Sequence, residues 1–105
     1  MVTQNLSAQE ASFEIQSKGA DSKHFIPIKG DKLEGQNKFS YMFSSMSVYK
    51  IKIKNSKKEV MIRILDEKEN ELANNFDEKS KKYKHKLDFK CQKTARYYVQ
   101  LEEKN

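Results

Sequence analysis

Apolar and polar residues alternate one by one along much of the chain, a pattern typical of β-strands that bury one face. The clearest case is 49–53, where Tyr49, Ile51 and Ile53 alternate with lysines. No helix of ten or more residues is supported after residue 18. Each alternating stretch predicts a strand, and these stretches are 13–15, 39–43, 49–53, 60–64, 83–89 and 97–101.

Two weaker patterns add to this set. Residues 25–28 predict a short edge strand, because Pro27 lacks the N–H that a central strand would donate. Residues 66–78 predict a long polar loop, with one helical turn or a short strand at Leu72. The chain therefore carries seven to eight short strands joined by polar turns.

The first of these strands has an alternative. Phe13 and Ile15 alternate with polar residues, yet Ala8, Ala11 and Ile15 also fit helical spacing, so a short helix over residues 7–18 stays open. Residues 1–10 are polar and are predicted to be flexible, which leaves 11–105 as a single domain.

The spacing of the strands predicts how they assemble. Residues 55–58 look like a hairpin connection, so the strand at 60–64 is predicted to pair antiparallel with the strand at 49–53. Strands that begin 8–12 residues apart and are joined by turns are typical of antiparallel sandwiches and barrels. We therefore predict an all-β fold with a single antiparallel β-sandwich.

Four stretches resemble the bacterial extracellular β-sandwich modules related to the pre-peptidase C-terminal domain. They are 39–43 (FSYMF), 49–53 (YKIKI), 61–66 (MIRILD) and 95–101 (ARYYVQL), and Ala95 stands where those modules usually have glycine. The resemblance spans residues 39–101. It implies a jelly-roll-like sandwich, export to the periplasm or cell surface, and a non-catalytic binding or accessory role. Some such modules bind calcium.

Composition limits the kinds of functional site that the chain can form. The 105 residues carry a net charge of +6 and only one cysteine, so no internal disulfide and no cysteine-based zinc site is expected. Cys91 is predicted to be a small buried residue, and His85 is placed by alternation on the half-buried side of its strand. No nucleophile motif, phosphate loop or dinucleotide motif is present, so no enzymatic activity and no cofactor other than calcium is expected.

Charge is distributed in blocks, which suggests two candidate binding regions, and an outward-facing tyrosine suggests a third. Acidic side chains of the 66–78 loop are candidate calcium ligands, with a plain solvated loop as the alternative. Tyr98 is predicted to face outward, opposite Tyr97, where it could stack on a ligand. Lysines on two strands predict a basic patch if those strands are neighbours, with a solvated outer face as the alternative. The candidate calcium ligands are Asp66, Glu67 and Glu69, and the candidate patch residues are Lys50, Lys52, Lys54, Lys82, Lys84 and Lys86.

These features predict a monomeric, non-catalytic binding module without a membrane span, with a glycan or a protein as ligand. One alternative is an intracellular basic β domain that binds nucleic acid through its lysines. Another is a protein-interaction subunit such as an inhibitor or immunity factor. The location is periplasmic or extracellular if a leader peptide has been removed, and cytoplasmic otherwise.

Overall fold

The computed structural model describes residues 10–33 and 36–104, and these form ten β-strands with no helix. The strand count exceeds the predicted seven to eight because two short strands, β7 and β8, lie in the stretch after residue 75. The strands are β1 (Ser12–Lys18), β2 (Ile26–Lys32), β3 (Gln36–Phe43), β4 (Val48–Lys54), β5 (Glu59–Leu65), β6 (Glu71–Asn74), β7 (Phe76–Asp77), β8 (Lys82–Tyr83), β9 (Lys86–Lys90) and β10 (Ala95–Lys104).

Eight strands form two antiparallel sheets, and the prediction of an all-β sandwich is confirmed. Sheet A has the order β2-β1-β4-β9, and sheet B has the order β3-β10-β5-β6. The strands β7 and β8 form a separate two-stranded ribbon. The chain crosses between the sheets several times, in the manner of a jelly roll. None of the segments described here forms a helix long and apolar enough to cross a membrane.

Alternation along the strands explains why the sheets pack face to face. In β4, Tyr49, Ile51 and Ile53 are buried while the lysines between them are not. In β10, Tyr97 is buried and Tyr98 is only partly buried, as predicted. The inward side chains of both sheets form one core, which comprises Phe13, Ile15, Leu33, Phe43, Tyr49, Ile51, Ile53, Val60, Ile62, Ile64, Cys91, Tyr97, Val99 and Leu101.

The N-terminal element of the described chain is a strand, so the alternative of a helix over residues 7–18 is wrong. Ser12–Lys18 pairs along its whole length with β4 and bonds to β2 on its other side. The predicted flexible segment 1–10 lies outside the described residues except for Glu10. Pairing with β2 and β4 decides that this segment is a strand. The sequence of the segment alone does not contain that information.

The predicted hairpin between β4 and β5 is also wrong. Strand β4 pairs with β1 and β9 in sheet A, whereas β5 pairs with β10 and β6 in sheet B. Both strands have one apolar face, and crossing from one sheet to the other lets these faces pack against each other. Asn55 makes the sharp start of this connection with a φ of 59°.

Strand β2 is an edge strand, as Pro27 predicts, but it extends through Lys32. Gly30, which follows the predicted segment 25–28, is thus part of the strand. A Cβ on Gly30 would lie 3.3 Å from the carbonyl oxygen of Phe13, so the lack of a side chain permits a close approach to β1.

The single strand predicted at 83–89 is divided in two. Lys84 N–H donates to the Asn75 carbonyl oxygen over 3.0 Å, and Ile53 N–H donates to the His85 carbonyl oxygen over 2.7 Å. These bonds bend the chain between β8 and β9. His85 is consequently exposed, and its predicted half-buried position is wrong.

Candidate functional site

The outward side of sheet A collects lysines from three neighbouring strands. Strand β4 lies between β1 and β9, and its outward residues alternate with buried apolar ones. The register places Lys18 of β1 opposite Val48 of β4, and Val48 opposite Lys90 of β9. We call the resulting surface the basic face, and its residues are Lys18, Lys50, Lys52, Lys54, Lys86 and Lys90.

Two like charges meet at the centre of the basic face. Lys52 of β4 stands directly opposite Lys86 of β9. Like charges in this cross-strand position destabilise a sheet. In the described part of the chain, no carboxylate lies within 4.0 Å of either ammonium group.

The outward carboxylates of β1, β4 and β9 are Glu14 and Asp88, and neither forms an ion pair within 4.0 Å with Lys52 or Lys86. Glu14 lies opposite Lys52, yet its carboxylate accepts a hydrogen bond from Gln16 at 2.9 Å and pairs with Lys54 at 3.1 Å. The hydrogen bond from Gln16, then the contact with Lys54 and finally the charge of Lys52 lower the pKa of Glu14. Asp88 lies opposite Lys50. Six ammonium groups thus share a surface with two carboxylates.

One aromatic ring supports the Lys50 side of the basic face. The ammonium of Lys50 lies 4.3 Å from the ring centroid of Phe25, and that of Lys18 lies 5.7 Å from the same centroid. Cation–π contacts of this kind contribute roughly 0.5–1 kcal/mol at exposed sites. The ring therefore favours keeping two lysines close together despite their repulsion.

The structure brings together four of the six predicted patch residues. Lys50, Lys52, Lys54 and Lys86 lie on the basic face, whereas Lys82 and Lys84 lie outside sheet A. Lys82 pairs with Asp77 in the ribbon of β7 and β8, and Lys84 follows that ribbon.

Sequence reasoning missed two members of the basic face, Lys18 and Lys90. Both were signalled by alternation. Lys18 lies two residues after Gln16 and four after Glu14, so alternation places it on the same outward side. Lys90 comes directly after the inward-facing Phe89, so alternation places it outward as well. Only the strand order of sheet A shows that they share a surface.

Tyr98 lies on the outward side of sheet B, on the opposite side of the sandwich from the basic face. It is partly buried, and the ammonium of Lys38 lies 5.0 Å from its ring centroid. The same ammonium pairs with Glu69. Because Lys38 already covers the ring, Tyr98 does not present an open stacking surface.

The candidate calcium ligands are not gathered into one site. The Asp66 carboxylate accepts hydrogen bonds from the backbone of Lys68 and from the backbone and side chain of Asn70, at 2.8–3.1 Å. Bonds from Asn70 and then Lys68 lower the pKa of Asp66. Glu69 pairs with Lys38, and Glu67 is exposed. Among residues 10–33 and 36–104, no group of three or more His, Cys, Asp or Glu side chains is arranged to hold a metal ion.

Cys91 is fully buried, as predicted. Its thiol lies 3.2 Å from the Lys93 carbonyl oxygen and 3.6 Å from the Tyr97 hydroxyl, and that hydroxyl donates to the same carbonyl. Burial, followed by the contact with Cys91, raises the pKa of Tyr97 to about 12. These groups tie the connection between β9 and β10 to the core.

Comparisons with protein-family models, with curated proteins and with solved structures returned no match to this chain. The site must therefore be interpreted from its own geometry and charge.

Proposed function

We propose that this protein is a non-catalytic binding module that holds an anionic polysaccharide against the basic face. The observation that carries this proposal is the opposed pair of Lys52 and Lys86, in which no carboxylate of the described residues lies within 4.0 Å of either ammonium group and Glu14, opposite Lys52, forms its ion pair with Lys54. Such a pair costs stability in the free protein. A bound polyanion would remove that cost, since its negative groups would lie between the two ammonium groups.

The shape of the face supports an extended ligand. Lysines on one strand are two residues apart, or about 6.6–6.8 Å, and neighbouring strands are about 4.8 Å apart. The face therefore offers an extended grid of cations over three strands. Lysine ammonium groups are flexible point charges and do not impose the planar geometry that arginine does. This favours recognition of charge density along a polymer.

The lack of an open aromatic surface on the described residues of the basic face favours a glycan over nucleic acid. Single-stranded nucleic acids are usually held by bases stacked on aromatic rings. Among the described residues, Phe25 makes cation–π contacts with the lysines of this face, and Lys18 and Lys50 lie over its ring.

The proposal includes a location outside the cytoplasm, which the resemblance to exported sandwich modules supports. Cell fractionation with an antibody against the native protein tests this part separately. Recovery from the periplasm or medium supports export, and recovery from the cytosol alone overturns it.

Binding to a panel of polymers tests the function. The panel contains polyuronate, dextran sulfate, neutral dextran, single-stranded DNA and duplex DNA, each titrated calorimetrically at several salt concentrations. We expect binding to the anionic glycans that weakens as salt rises, and none to neutral dextran. Tighter binding to either DNA than to both glycans would overturn the glycan assignment and favour the nucleic-acid alternative.

A pair of double variants locates the binding surface. The variant Lys52→Gln/Lys86→Gln removes the opposed pair, and Lys79→Gln/Lys82→Gln removes two exposed lysines that lie outside sheet A. Each lysine near a polyanionic surface contributes about 1 kcal/mol, so the first variant should weaken glycan binding by roughly 30-fold. The second should leave it within about threefold of wild type. Equal losses in both would show that net charge, and not the basic face, drives binding.

A further inference from the structure

A cavity of about 360 Å³ opens at one end of the sandwich, away from the centre of the basic face. The turn between β5 and β6 forms one wall, and the connection between β9 and β10 together with the first residues of β10 forms the other. Sites for small molecules usually begin at about this volume. We call this space the end cavity.

Three cations line the end cavity, namely Lys68, Lys93 and Arg96. In the described part of the protein, no carboxylate oxygen lies within 4.0 Å of their charged nitrogens. Arg96 donates one hydrogen bond to the Ser40 hydroxyl at 3.1 Å. A guanidinium has five N–H groups, so Arg96 retains donors for a ligand.

One of the two acidic residues that line the cavity is occupied within the protein. Asp66 is occupied by hydrogen bonds from Lys68 and Asn70, as described above. Glu67 is the second carboxylate of the lining. Three cations against two carboxylates leave one excess positive charge, which matches a ligand with a single negative charge.

Part of the cavity wall is apolar. The side chain of Leu72 is 47% exposed, which is high for leucine, and it lines the cavity together with Ala95 and Tyr97. Ala95 stands where the resembling modules usually have glycine, and its methyl group adds to this wall. A ligand with an apolar body would cover Leu72 and exclude water from it.

Both walls are held in place without a ligand. Asp66 N–H donates to the Asn70 carbonyl oxygen at 2.9 Å, which closes the β5–β6 turn. On the other side, Tyr97 holds the Lys93 carbonyl, and Ser45 N–H donates to the Thr94 hydroxyl at 2.8 Å. A preformed cavity binds with little ordering cost.

We propose that the end cavity binds a small monocarboxylate with an apolar body, the carboxylate facing Arg96 and Lys93 and the body facing Leu72. Arginine bonds a carboxylate through two parallel N–H groups, which suits a single planar anion. The end cavity and the basic face share no residue, so this site is separate from the proposed polysaccharide surface.

Benzoate is the probe for this proposal, with benzamide as its uncharged counterpart and inorganic phosphate as an anion without an apolar body. Backbone NMR shifts of the wild-type protein are followed during each titration. We expect benzoate to bind with a Kd on the order of 1 mM or below, with shifts at Ala95 and Leu72. Benzamide and phosphate should bind at least roughly tenfold more weakly, which removes about 1.4 kcal/mol.

Two variants complete the test. Lys93→Gln/Arg96→Gln should weaken benzoate binding at least roughly tenfold, while Lys79→Gln/Lys82→Gln should not change it. Thermal unfolding of both variants checks that they are folded. The proposal is overturned by no benzoate binding, by equal binding of benzamide, by stronger binding of phosphate, or by full binding in the folded Lys93→Gln/Arg96→Gln variant.

Discussion

Phe43 of sheet B and Tyr49 of sheet A stack across the interior of the sandwich, with ring centroids 3.9 Å apart and ring planes within 15° of each other. Phe43 has no exposed surface, and the Tyr49 hydroxyl accepts a hydrogen bond from Ser44 N–H at 2.8 Å. This pair joins the two sheets where β3 leads into β4. The packing of these two rings therefore links the core to the connection that crosses from sheet B to sheet A.

Truncation of this pair should affect stability strongly. We expect Phe43→Ala to lower the free energy of unfolding by about 3–5 kcal/mol, because it leaves a cavity among Tyr41, Tyr49 and Tyr97. Tyr49→Phe keeps the ring and loses one hydrogen bond, so it should cost only about 1 kcal/mol. Urea denaturation measures both values. A loss below about 1 kcal/mol for Phe43→Ala would contradict the central position of this ring.

Asn75 should contribute more to stability than its polar side chain suggests. Its amide donates to the carbonyl oxygens of Val60 at 2.8 Å and Lys84 at 2.6 Å, and its side-chain oxygen accepts from Ile62 N–H at 2.7 Å. Asn75→Ala leaves these buried backbone groups without partners, and we expect a loss of about 3 kcal/mol in unfolding free energy.

Asn74 provides the matched control, because it is the adjacent residue of the same type and is exposed. We expect Asn74→Ala to cost less than about 1 kcal/mol. Urea denaturation of the two variants in parallel gives the comparison. Similar losses in both would mean that the bonds of Asn75 do not tie β5 to the segment before β9.

Tyr97 should lose its contribution to stability in alkali. Its pKa is raised to about 12 in the folded protein, from 10.0, mainly by burial. A raised pKa means that the neutral phenol is favoured in the fold. The stabilisation is therefore fully present below pH 10 and is lost as pH rises through 10 toward 12.

The variant Tyr97→Phe isolates this effect from the other tyrosines. The stability difference between wild type and variant should stay constant below about pH 9 and fall toward pH 12. Absorbance titration should show one phenolate fewer in the variant, missing from the most alkaline part of the curve. If the phenolate that the variant lacks is one that ionises near pH 10 in the wild type, the burial of the Tyr97 hydroxyl is contradicted.

The sequence predicted part of the basic face, and particular contacts explain why the other residues were misplaced. Alternation with Tyr49, Ile51 and Ile53 was enough to place the β4 lysines outward, because a buried strand face leaves its other face to solvent. It was not enough for Lys82 and Lys84. Their displacement depends on Asn75, which is distant in sequence from β4 and whose buried position no local pattern indicates.

The crossing from β4 to β5 shows the same limit. Four polar residues between two alternating stretches fit a hairpin as well as they fit a crossing to the other sheet. The strands with which β4 and β5 pair decide between the two. Ile64 of β5 pairs with Val99 of β10, which lies 35 residues further along the chain. The end cavity depends on the turn at Asp66 meeting the connection at Lys93, which lies 27 residues further along the chain, so no local pattern in the sequence signals it.

The variant Lys86→Glu tests the central claim, that the basic face retains an opposed lysine pair in order to bind a polyanion. A glutamate opposite Lys52 replaces repulsion with attraction, so we expect the unfolding free energy to rise by about 0.5–1 kcal/mol. The same change should weaken polyuronate binding by roughly tenfold or more. Lys79→Glu makes the same charge change outside sheet A and should leave binding close to wild type.

The decisive measurement is therefore polyuronate binding by Lys86→Glu, measured by calorimetry beside its unfolding free energy and beside Lys79→Glu. Higher stability together with weaker binding in Lys86→Glu alone is the expected result. Binding that matches wild type in Lys86→Glu, or that falls equally in Lys79→Glu, would contradict the assignment of the basic face as the binding surface.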